Sequence, residues 1–221
     1  MTKPNNSHGK TGVRFFGEIT ALLSHDLKNV LSIINENAGL LEDFSLMAAD
    51  GNPIDPERLG MVAAKIRRQV RRADEMIKRL NQVGHSADRP QGAVNLTDLV
   101  ELVCALASRK AAQKAVSLSV TQRSESVMVK TDAFTLQQLI WACIDMAICI
   151  VEASNTLEID VKSTTQGATI RFGPMEAITN KPAEAWSELP QKEILKILNA
   201  NVVADRDKGM LVIQIPLEMT T

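Results

Sequence analysis

One stretch of the chain, residues 15–48, contains no proline and only two glycines, Gly17 and Gly39. With nothing that firmly breaks a helix, this stretch predicts one helix of roughly 34 residues, about 50 Å long at ~1.5 Å per residue. The helix is expected to end at the DGNPIDP segment, residues 50–56. There Asp55 can cap a new helix and Pro56 can take its first position.

Apolar residues recur at steps of three and four in the segment that follows, 56–83. They are Leu59, Val62, Ile66, Val70, Ala73, Ile77, Leu80 and Val83. This spacing is close to a heptad pattern and indicates a second long helix. The two helices predict an antiparallel hairpin over 14–84, preceded by a disordered leader over 1–13 and followed by a linker over 85–93.

The remainder of the chain, 94–221, mixes helices with short strands. Helices are predicted over Asn95–Ala112, Asp132–Val151 and Pro190–Asn199, and strands over 117–121, 126–130, 157–163, 168–172, 202–204 and 210–215. Most of these strands are neighbours joined by turn residues, which is typical of antiparallel hairpins. The predicted fold class is therefore α+β, a long helical hairpin followed by a two-layer α/β sandwich.

The hairpin also predicts an oligomer. A lone pair of helices buries only a narrow seam, so the rest of its apolar stripe needs another surface. Two hairpins from two chains would close a four-helix bundle, and a homodimer is the expected arrangement. Packing of the hairpin on the second domain of its own chain is the alternative.

Composition narrows the classes of partner. A formal net charge of −1 gives no strong field toward nucleic acid or an acidic membrane, and 3% aromatic residues with no Tyr argue against base stacking. No signal peptide or membrane-spanning run is expected. The three cysteines, an odd number, lie in apolar runs and are expected to be buried reduced thiols; they are Cys104, Cys143 and Cys149. These features predict a cytoplasmic protein.

The first predicted helix carries the hexapeptide SHDLKN, residues 24–29. On a wheel at about 100° per residue, His25 falls almost opposite the apolar side of this helix. That apolar side is formed by Ile19, Leu23, Val30, Ile34 and Leu41. The polar stripe around His25 comprises Ala21, Lys28, Asn29, Ser32 and Glu36. We therefore expect His25 to face solvent or a partner, the plain alternative being a solvated helix face without chemistry.

The residue types in this stripe suit phosphoryl transfer. A neutral imidazole is a good nucleophile at cytosolic pH, because its unperturbed pKa is about 6.5. The bond from phosphorus to nitrogen is labile, so the phosphoryl group can move on to a carboxylate. Asp26 is placed to hold the proton on the other ring nitrogen. Asn29, one turn further along, is placed to orient a water or an acyl phosphate for in-line attack.

These motifs resemble a known family. The pattern H-(D/E)-x-x-N near the start of a long helical hairpin, followed by a linker and an α+β domain, resembles the dimerisation and phosphotransfer module of bacterial sensor histidine kinases. VNLTDLVELVCALASRKAAQKAVSLSV resembles the opening helix and strand of their ATP-binding domain. TDAFTLQQLIWACIDMAICIV is similar to the helix with the asparagine box of these kinases, and it keeps Asp132, Leu136, Gln138 and Ala147.

The chain departs from the family pattern at the nucleotide site. Ala142 and Met146 stand where the kinases have two asparagines that hold phosphate and magnesium, and neither side chain ligates a hard cation. RFGPMEAI replaces the Asp-x-Gly-x-Gly loop, and NKPAEAWSELPQ replaces the glycine-rich lid. ATP binding is therefore expected to be weak or absent. The alternative is a shifted match in which Asn155, the only nearby asparagine, takes over.

A kinase-like dimer that keeps the histidine and lacks the nucleotide site resembles degenerate-kinase histidine phosphotransferases of the ChpT type. The resemblance implies that His25 exchanges a phosphoryl group with a receiver-domain aspartate and that autokinase activity is lost. It also implies that the receiver brings its own Mg²⁺, so this chain needs no cofactor or metal. Two alternatives stay open: a kinase fragment with an unusual ATP site, and a non-catalytic scaffold or antagonist that binds kinases or response regulators.

A basic run, KIRRQVRR at 65–72, lies on the second predicted helix. Such a run is most often a solvated face, and otherwise a dock for an acidic receiver surface or nucleic acid. Counted from the loop, the neighbour of His25 across the hairpin is near Arg79. We expect Arg79 or Lys78 to balance the phosphoryl charge.

Overall fold

The structure is a computed structural model that divides the chain into two compact units. It describes residues 7–88, 91–121, 126–152, 155–176, 178 and 192–217. The hairpin unit spans Phe16–Val83, and the sheet unit combines the residues up to Phe15 with those from Gly84 onward. The predicted α+β class is confirmed, since two long helices precede a mixed sheet with helices.

Two helices make up the hairpin unit. They are α1 (Ser7–Ala49), which belongs to this unit from Phe16 onward, and α2 (Pro56–Asp88), which belongs to it up to Val83. The connection over 50–55 is short, and Asp55 Oδ1 accepts a hydrogen bond from the Glu57 N–H at 2.9 Å, which caps α2. Two helices of this length can form one compact unit across so short a loop only if they lie antiparallel, side by side.

Two predicted boundaries of the hairpin are wrong. Residues 7–13, expected to belong to a disordered leader, are helical, while residues 1–6 lie outside the described residues. The predicted linker over 85–93 is helical up to Asp88, and strand β1 (Gly92–Asn95) begins inside it. Gly84 does not end α2, because one glycine in a helix interior costs only about 1 kcal/mol, an amount that the flanking turns can offset.

A five-stranded mixed sheet forms the centre of the sheet unit, in the order β2-β4-β5-β7-β6. The strands after β1 are β2 (Ser117–Thr121), β3 (Met128–Thr131), β4 (Thr156–Thr164), β5 (Gly167–Gly173), β6 (Asn201–Asp205) and β7 (Met210–Pro216). β2 and β4 are parallel, whereas the other neighbours in this sheet are antiparallel. β1 pairs with β3 in a separate antiparallel ladder.

In the described part of the sheet unit, the helices after α2 include α3 (Leu96–Gln113), α4 (Ala133–Ile150) and α5 (Lys192–Leu198). α3 and α4 pack on each other, α4 contacts α5 and β5, and α3 contacts β2. Alternate strand residues fill the core beneath them, as in the fully buried row Ile170 and Ile213 on β5 and β7. The predicted extents of α3 and α4 are confirmed within a residue or two, each with its expected cap, Asn95 and Asp132.

The first turns of α1 pack on α4 within the sheet unit. The Phe15 ring lies edge-on to Phe134, at 5.7 Å between centroids, and to Trp141, at 6.0 Å. Gly12 lies close to the Phe134 ring, since a methyl group at the Gly12 Cα would be 3.3 Å from it. Aromatic packing of this kind stabilises the helical turns that the polar composition of the leader did not predict.

α4 has the length and apolar composition that a membrane span requires, which the sequence expectation did not anticipate. It is 61% buried within the fold, and a core helix passes the same test of length and composition. The cysteines differ from expectation at one position. Cys104 and Cys143 are buried, and burial raises the pKa of each thiol to about 12, whereas Cys149 is exposed.

Candidate functional site

His25 lies on the outer surface of α1, with 64% of its side chain exposed. Val30 and Ile19, on the opposite side of the helix, are fully buried. The side chain at position 25 is therefore held on a rigid helix whose other side is fixed by packing. An imidazole presented in this way is accessible to a second protein.

The carboxylate of Asp26 is half-buried beside the imidazole. Its Oδ1 atom lies 3.8 Å from His25 Nδ1, with 15% of the Asp26 side chain exposed. This distance is longer than the ~2.7–3.2 Å of a hydrogen bond. Asp26 is therefore close to the imidazole but does not hydrogen-bond to its Nδ1 atom.

The other predicted stripe residues of α1 are exposed. They are Ala21, Lys28, Asn29, Ser32 and Glu36. Asn29 stands one turn after His25 on the same side, and the Ser32 hydroxyl donates to Glu36 Oε1 at 3.4 Å. Ala21 and Lys28, by helical periodicity, lie on the side of α1 that points away from α2. The stripe is thus an open polar surface centred on His25.

Counted from the loop, Arg79 falls at the same height along the hairpin as His25. His25 stands 24 residues before the end of α1 and Arg79 stands 23 residues after the start of α2. Arg79 is half-buried and forms an ion pair with Glu75, one turn earlier, at 3.9 Å. Lys78, the other predicted cation, pairs with Asp74 at 2.7 Å, and that carboxylate raises the Lys78 pKa.

Helical periodicity fixes which side of the hairpin each residue faces. Positions around the α1 axis can be measured as angles from its buried side, at about 100° per residue. His25 and Asn29 lie roughly 100–140° from the buried side in one direction, and Leu31 lies about 100° from it in the opposite direction. The two helices are antiparallel and their buried sides face each other. Residues displaced from the buried side in the same rotational direction therefore lie on the same side of the hairpin, whichever helix carries them. The two helices therefore share two opposite faces.

The first, the apolar face, comprises Leu27, Leu31 and Ala38 of α1 with Ala63, Val70 and Ile77 of α2. Leu31 is 61%, Val70 52% and Ile77 47% exposed. The second, the histidine face, comprises His25, Asn29 and Glu36 of α1 with Lys65, Arg68, Arg72, Glu75 and Arg79 of α2. Arg79, unlike Lys78, is therefore on the side of the hairpin that presents His25.

α4 carries the two positions that the kinase resemblance matches to the asparagine box, Ala142 and Met146, and both are half-buried. Asp145, between them, forms an ion pair with Lys110 of α3, whose ammonium also lies 5.7 Å from the Trp141 ring centre. This carboxylate is thus already engaged by a cation of the fold. Asn155 lies beyond α4 and is exposed, its backbone bonded to Glu152 and Ser117.

Two apolar residues after β5 are buried in the fold. Met175 and Ile178 are buried at 2% and 0% exposure, and the Met175 N–H donates to the Gly209 carbonyl at 2.7 Å. Gly173 has φ +146 and its Cα approaches Gly209 so closely that a Cβ would lie 2.8 Å from the carbonyl oxygen. Apolar side chains therefore fill the place where the kinase resemblance implied an adenine-reading aspartate. The lid segment, 180–191, lies outside the described residues.

Within the described ranges, no group of three or more His, Cys, Asp or Glu side chains is arranged to hold a metal ion. The prediction that Mg²⁺ comes with a partner stays a prediction.

No protein-family model and no curated protein matches the chain. Similar solved structures include histidine kinases. The catalytic domain of ThkA, 15% identical, covers 59% of this chain and 99% of its own with a TM-score of 0.48. AdeS of Acinetobacter baumannii is 16% identical, covering 87% and 98%, with a TM-score of 0.46. ThkA in complex with response regulator protein TrrA is 17% identical, covering 93% and 63%, with a TM-score of 0.47. Likeness at this level carries no argument about activity.

Proposed function

We propose that this chain is a histidine phosphotransfer protein of a two-component phosphorelay, similar in kind to the ChpT type. His25 exchanges a phosphoryl group with the aspartate of a response-regulator receiver domain. The observation that carries the proposal is the exposed His25 imidazole on a rigid helix, with the Asp26 carboxylate 3.8 Å from Nδ1 and Asn29 one turn away.

The transfer step follows from these positions. The lone pair of His25 Nε2 attacks the phosphorus of the receiver's acyl phosphate, the bond from phosphorus to the carboxylate oxygen breaks, and that electron pair leaves on the receiver's aspartate. The imidazole becomes a phosphorylated imidazolium, and Asp26, after a rotamer change, accepts the hydrogen bond from Nδ1–H and stabilises its positive charge. Return of the phosphoryl group to a second receiver reverses each change.

Asn29 and Arg79 have supporting roles in this proposal. The Asn29 amide, one turn from His25, donates to a phosphoryl oxygen and keeps the transferring group in line with the ring nitrogen. Arg79, on the same face and at the same height, adds positive charge near the phosphoryl oxygens once it turns from Glu75. Ala21, Lys28, Ser32 and Glu36 provide the surrounding contact surface for the receiver.

A homodimer is part of the proposal. The apolar face carries three large side chains at 47–61% exposure, Leu31, Val70 and Ile77. A contiguous apolar surface of this kind is typical of a surface that another protein buries. A second copy of the hairpin supplies a matching face and closes a four-helix bundle. The histidine faces then remain on the outside of the bundle, two per dimer.

The phosphoryl group comes from a receiver rather than from ATP in this proposal. Ala142 and Met146 offer no oxygen to a nucleotide-bound metal, and Met175 is packed where the family reads adenine. The receiver brings Mg²⁺ with its own carboxylates, and this chain needs no cofactor. Cytoplasmic location belongs to the same proposal, since receivers and their phosphodonors act there.

Transfer from phosphorylated receivers tests the function. Receiver domains from the organism that encodes this chain are labelled with radioactive acetyl phosphate and mixed with the wild type, with His25→Ala and with His85→Ala. His85 is also exposed, on α2. We expect label on the wild type and on His85→Ala, and none on His25→Ala. Equal labelling of all three, or of none, rejects the proposal.

Calorimetric titration with ATP, with and without Mg²⁺, separates this function from a kinase fragment. We expect no binding at ATP concentrations up to about 1 mM, which corresponds to a favourable binding free energy of ~4 kcal/mol or less. Micromolar binding together with labelling from ATP alone favours the kinase. Complexes with receivers that form equally with His25→Ala, and without any transfer, favour the scaffold.

A further inference from the structure

In the basic run 65–72 of α2, five cations are exposed and make no ion pair with any described residue. They are Lys65, Arg67, Arg68, Arg71 and Arg72. The next cations along the same helix are neutralised, Lys78 by Asp74 at 2.7 Å and Arg79 by Glu75 at 3.9 Å. The cations of α2 are therefore unpaired in the run 65–72 and ion-paired at positions 78 and 79. Charge repulsion within 65–72 is left uncompensated by the fold, which points to a role outside it.

Three of the five cations belong to the histidine face: Lys65, Arg68 and Arg72. They occur at steps of three and four, so they stand in a row along one flank of α2. By height along the hairpin, they lie roughly 10–22 Å from His25 toward the loop, at 1.5 Å per residue. A protein partner that buries about 800 Å² on this chain would cover His25 and the row together.

We infer that the row of Lys65, Arg68 and Arg72 is a docking surface for acidic side chains on the receiver that exchanges the phosphoryl group with His25. The inference rests on the proposed function and adds the charge of the partner surface to it. Unpaired surface cations of this kind steer an acidic partner and raise its association rate. They choose among receivers by charge, while His25 and its neighbours perform the chemistry.

Nucleic acid fits this surface less well than a protein. A polyphosphate needs a continuous positive track, whereas the carboxylates of Glu36 and Glu75 interrupt this face. Leu40 on the same flank of α1 is 42% exposed and offers an apolar contact beside the cations. Apolar side chains within a rim of charge are typical of protein interfaces.

Two matched double variants test the inference. Arg68→Glu with Arg72→Glu reverses two charges of the row, and Arg67→Glu with Arg71→Glu reverses two exposed arginines on the back of the same helix, with the same change in net charge. Binding of each receiver is measured by fluorescence anisotropy from about 50 mM to about 300 mM salt, and initial transfer rates are measured over a range of receiver concentrations. A short DNA duplex is titrated in parallel.

We expect the first pair to weaken binding of the receiver that labels His25 by about tenfold or more, and to remove most of the salt dependence. Its maximal transfer rate at saturating receiver stays near the wild-type value. The second pair changes binding by less than about threefold. Equal effects of the two pairs, salt-independent binding, no receiver binding to the wild type, or tighter binding to DNA than to any receiver would each overturn the inference.

Separate readouts keep the two proposals apart. If receiver binding depends on Arg68 and Arg72 but His25 is not labelled, the inferred docking surface stands and the phosphotransfer function is rejected. Label on His25 from a receiver whose binding is indifferent to both charge reversals rejects the docking surface alone.

Discussion

Oδ1 of Asp26 and Nδ1 of His25 are 3.8 Å apart, although the two side chains leave α1 in different directions. Consecutive residues of a helix project about 100° apart. The result is an exposed ring, 64% accessible, next to a carboxylate of which 15% is accessible. The carboxylate therefore lies beside the ring without blocking access to it.

Replacing Asp26 by Asn tests its proposed role in phosphotransfer. We expect Asp26→Asn to lower the rate at which a phosphorylated receiver labels His25 by about 10- to 100-fold, because the amide no longer holds the Nδ1 proton or stabilises the imidazolium. Receiver affinity should change little. Glu42→Gln is the control, since Glu42 is an exposed carboxylate on the same helix and does not lie on the histidine face. Equal transfer rates for Asp26→Asn and the wild type would exclude the role.

Local signals in the sequence predicted the helices and the side of α1 on which His25 lies. The apolar positions Ile19, Leu23 and Val30 repeat with the helical period, and they are buried in the structure. Asn95 and Asp132 cap their helices as expected, since a cap is a local hydrogen bond. Features set by neighbours in sequence were therefore predictable.

Features set by contacts between distant residues were not predictable. β1 pairs with β3, and β2 with β4 in parallel, across long chain separations that no turn motif marks. The helical turns before Phe15 depend on the rings of Phe134 and Trp141. The burial of Asp26 and the pairing of Lys78 with Asp74 likewise needed coordinates.

The apolar face predicts how the oligomer responds to charge. We expect Leu31→Glu to raise the dissociation constant of the dimer at least about 100-fold, because the carboxylate would be buried without a partner at the bundle interface. Leu46→Glu is the matched control: Leu46 is 67% exposed on the same helix and lies outside the apolar face. Sedimentation velocity measures both. A wild type that is monomeric at micromolar concentration would contradict the dimer.

The three cysteines should react differently with thiol reagents. Burial raises the pKa of Cys104 and Cys143 to about 12, so both stay protonated and shielded at pH 8, whereas Cys149 is exposed. We expect one equivalent of iodoacetamide to label the native protein, at Cys149, and all three thiols to react in denaturant. Peptide mass spectrometry identifies the sites, and Cys149→Ser should remove the native label.

The same thiols give a pH dependence with a definite sign. Between about pH 9 and pH 12 an unfolded thiol ionises while Cys104 and Cys143 stay protonated in the fold, so the unfolded state binds fewer protons. The free energy of unfolding should therefore be unaffected by these groups below pH 9 and fall as the pH rises through that interval. Urea titrations at pH 8 and pH 10.5 measure the difference, and Cys104→Ala should reduce the fall.

Asn37 offers the last test, because it is a polar side chain on the buried line of α1. It is 6% exposed; its Nδ2 donates to the Ile33 carbonyl at 2.7 Å, while its Oδ1 has no hydrogen-bond partner among the described residues. Gln69 of α2 lies at nearly the same height, and its Oε1 is likewise buried without a partner in the described chain. Each unmet buried acceptor costs about 1–3 kcal/mol.

We therefore expect Asn37→Leu to raise the free energy of unfolding by about 1 kcal/mol, since it removes an unmet acceptor and adds apolar contact. Asn35→Leu, the same change at an exposed site two residues away, should have an effect within about 0.5 kcal/mol. Urea denaturation followed by circular dichroism measures both. A loss of stability or of the dimer in Asn37→Leu alone would mean that a second copy satisfies the Asn37 oxygen, in which case the polar layer with Gln69 fixes the register of the bundle.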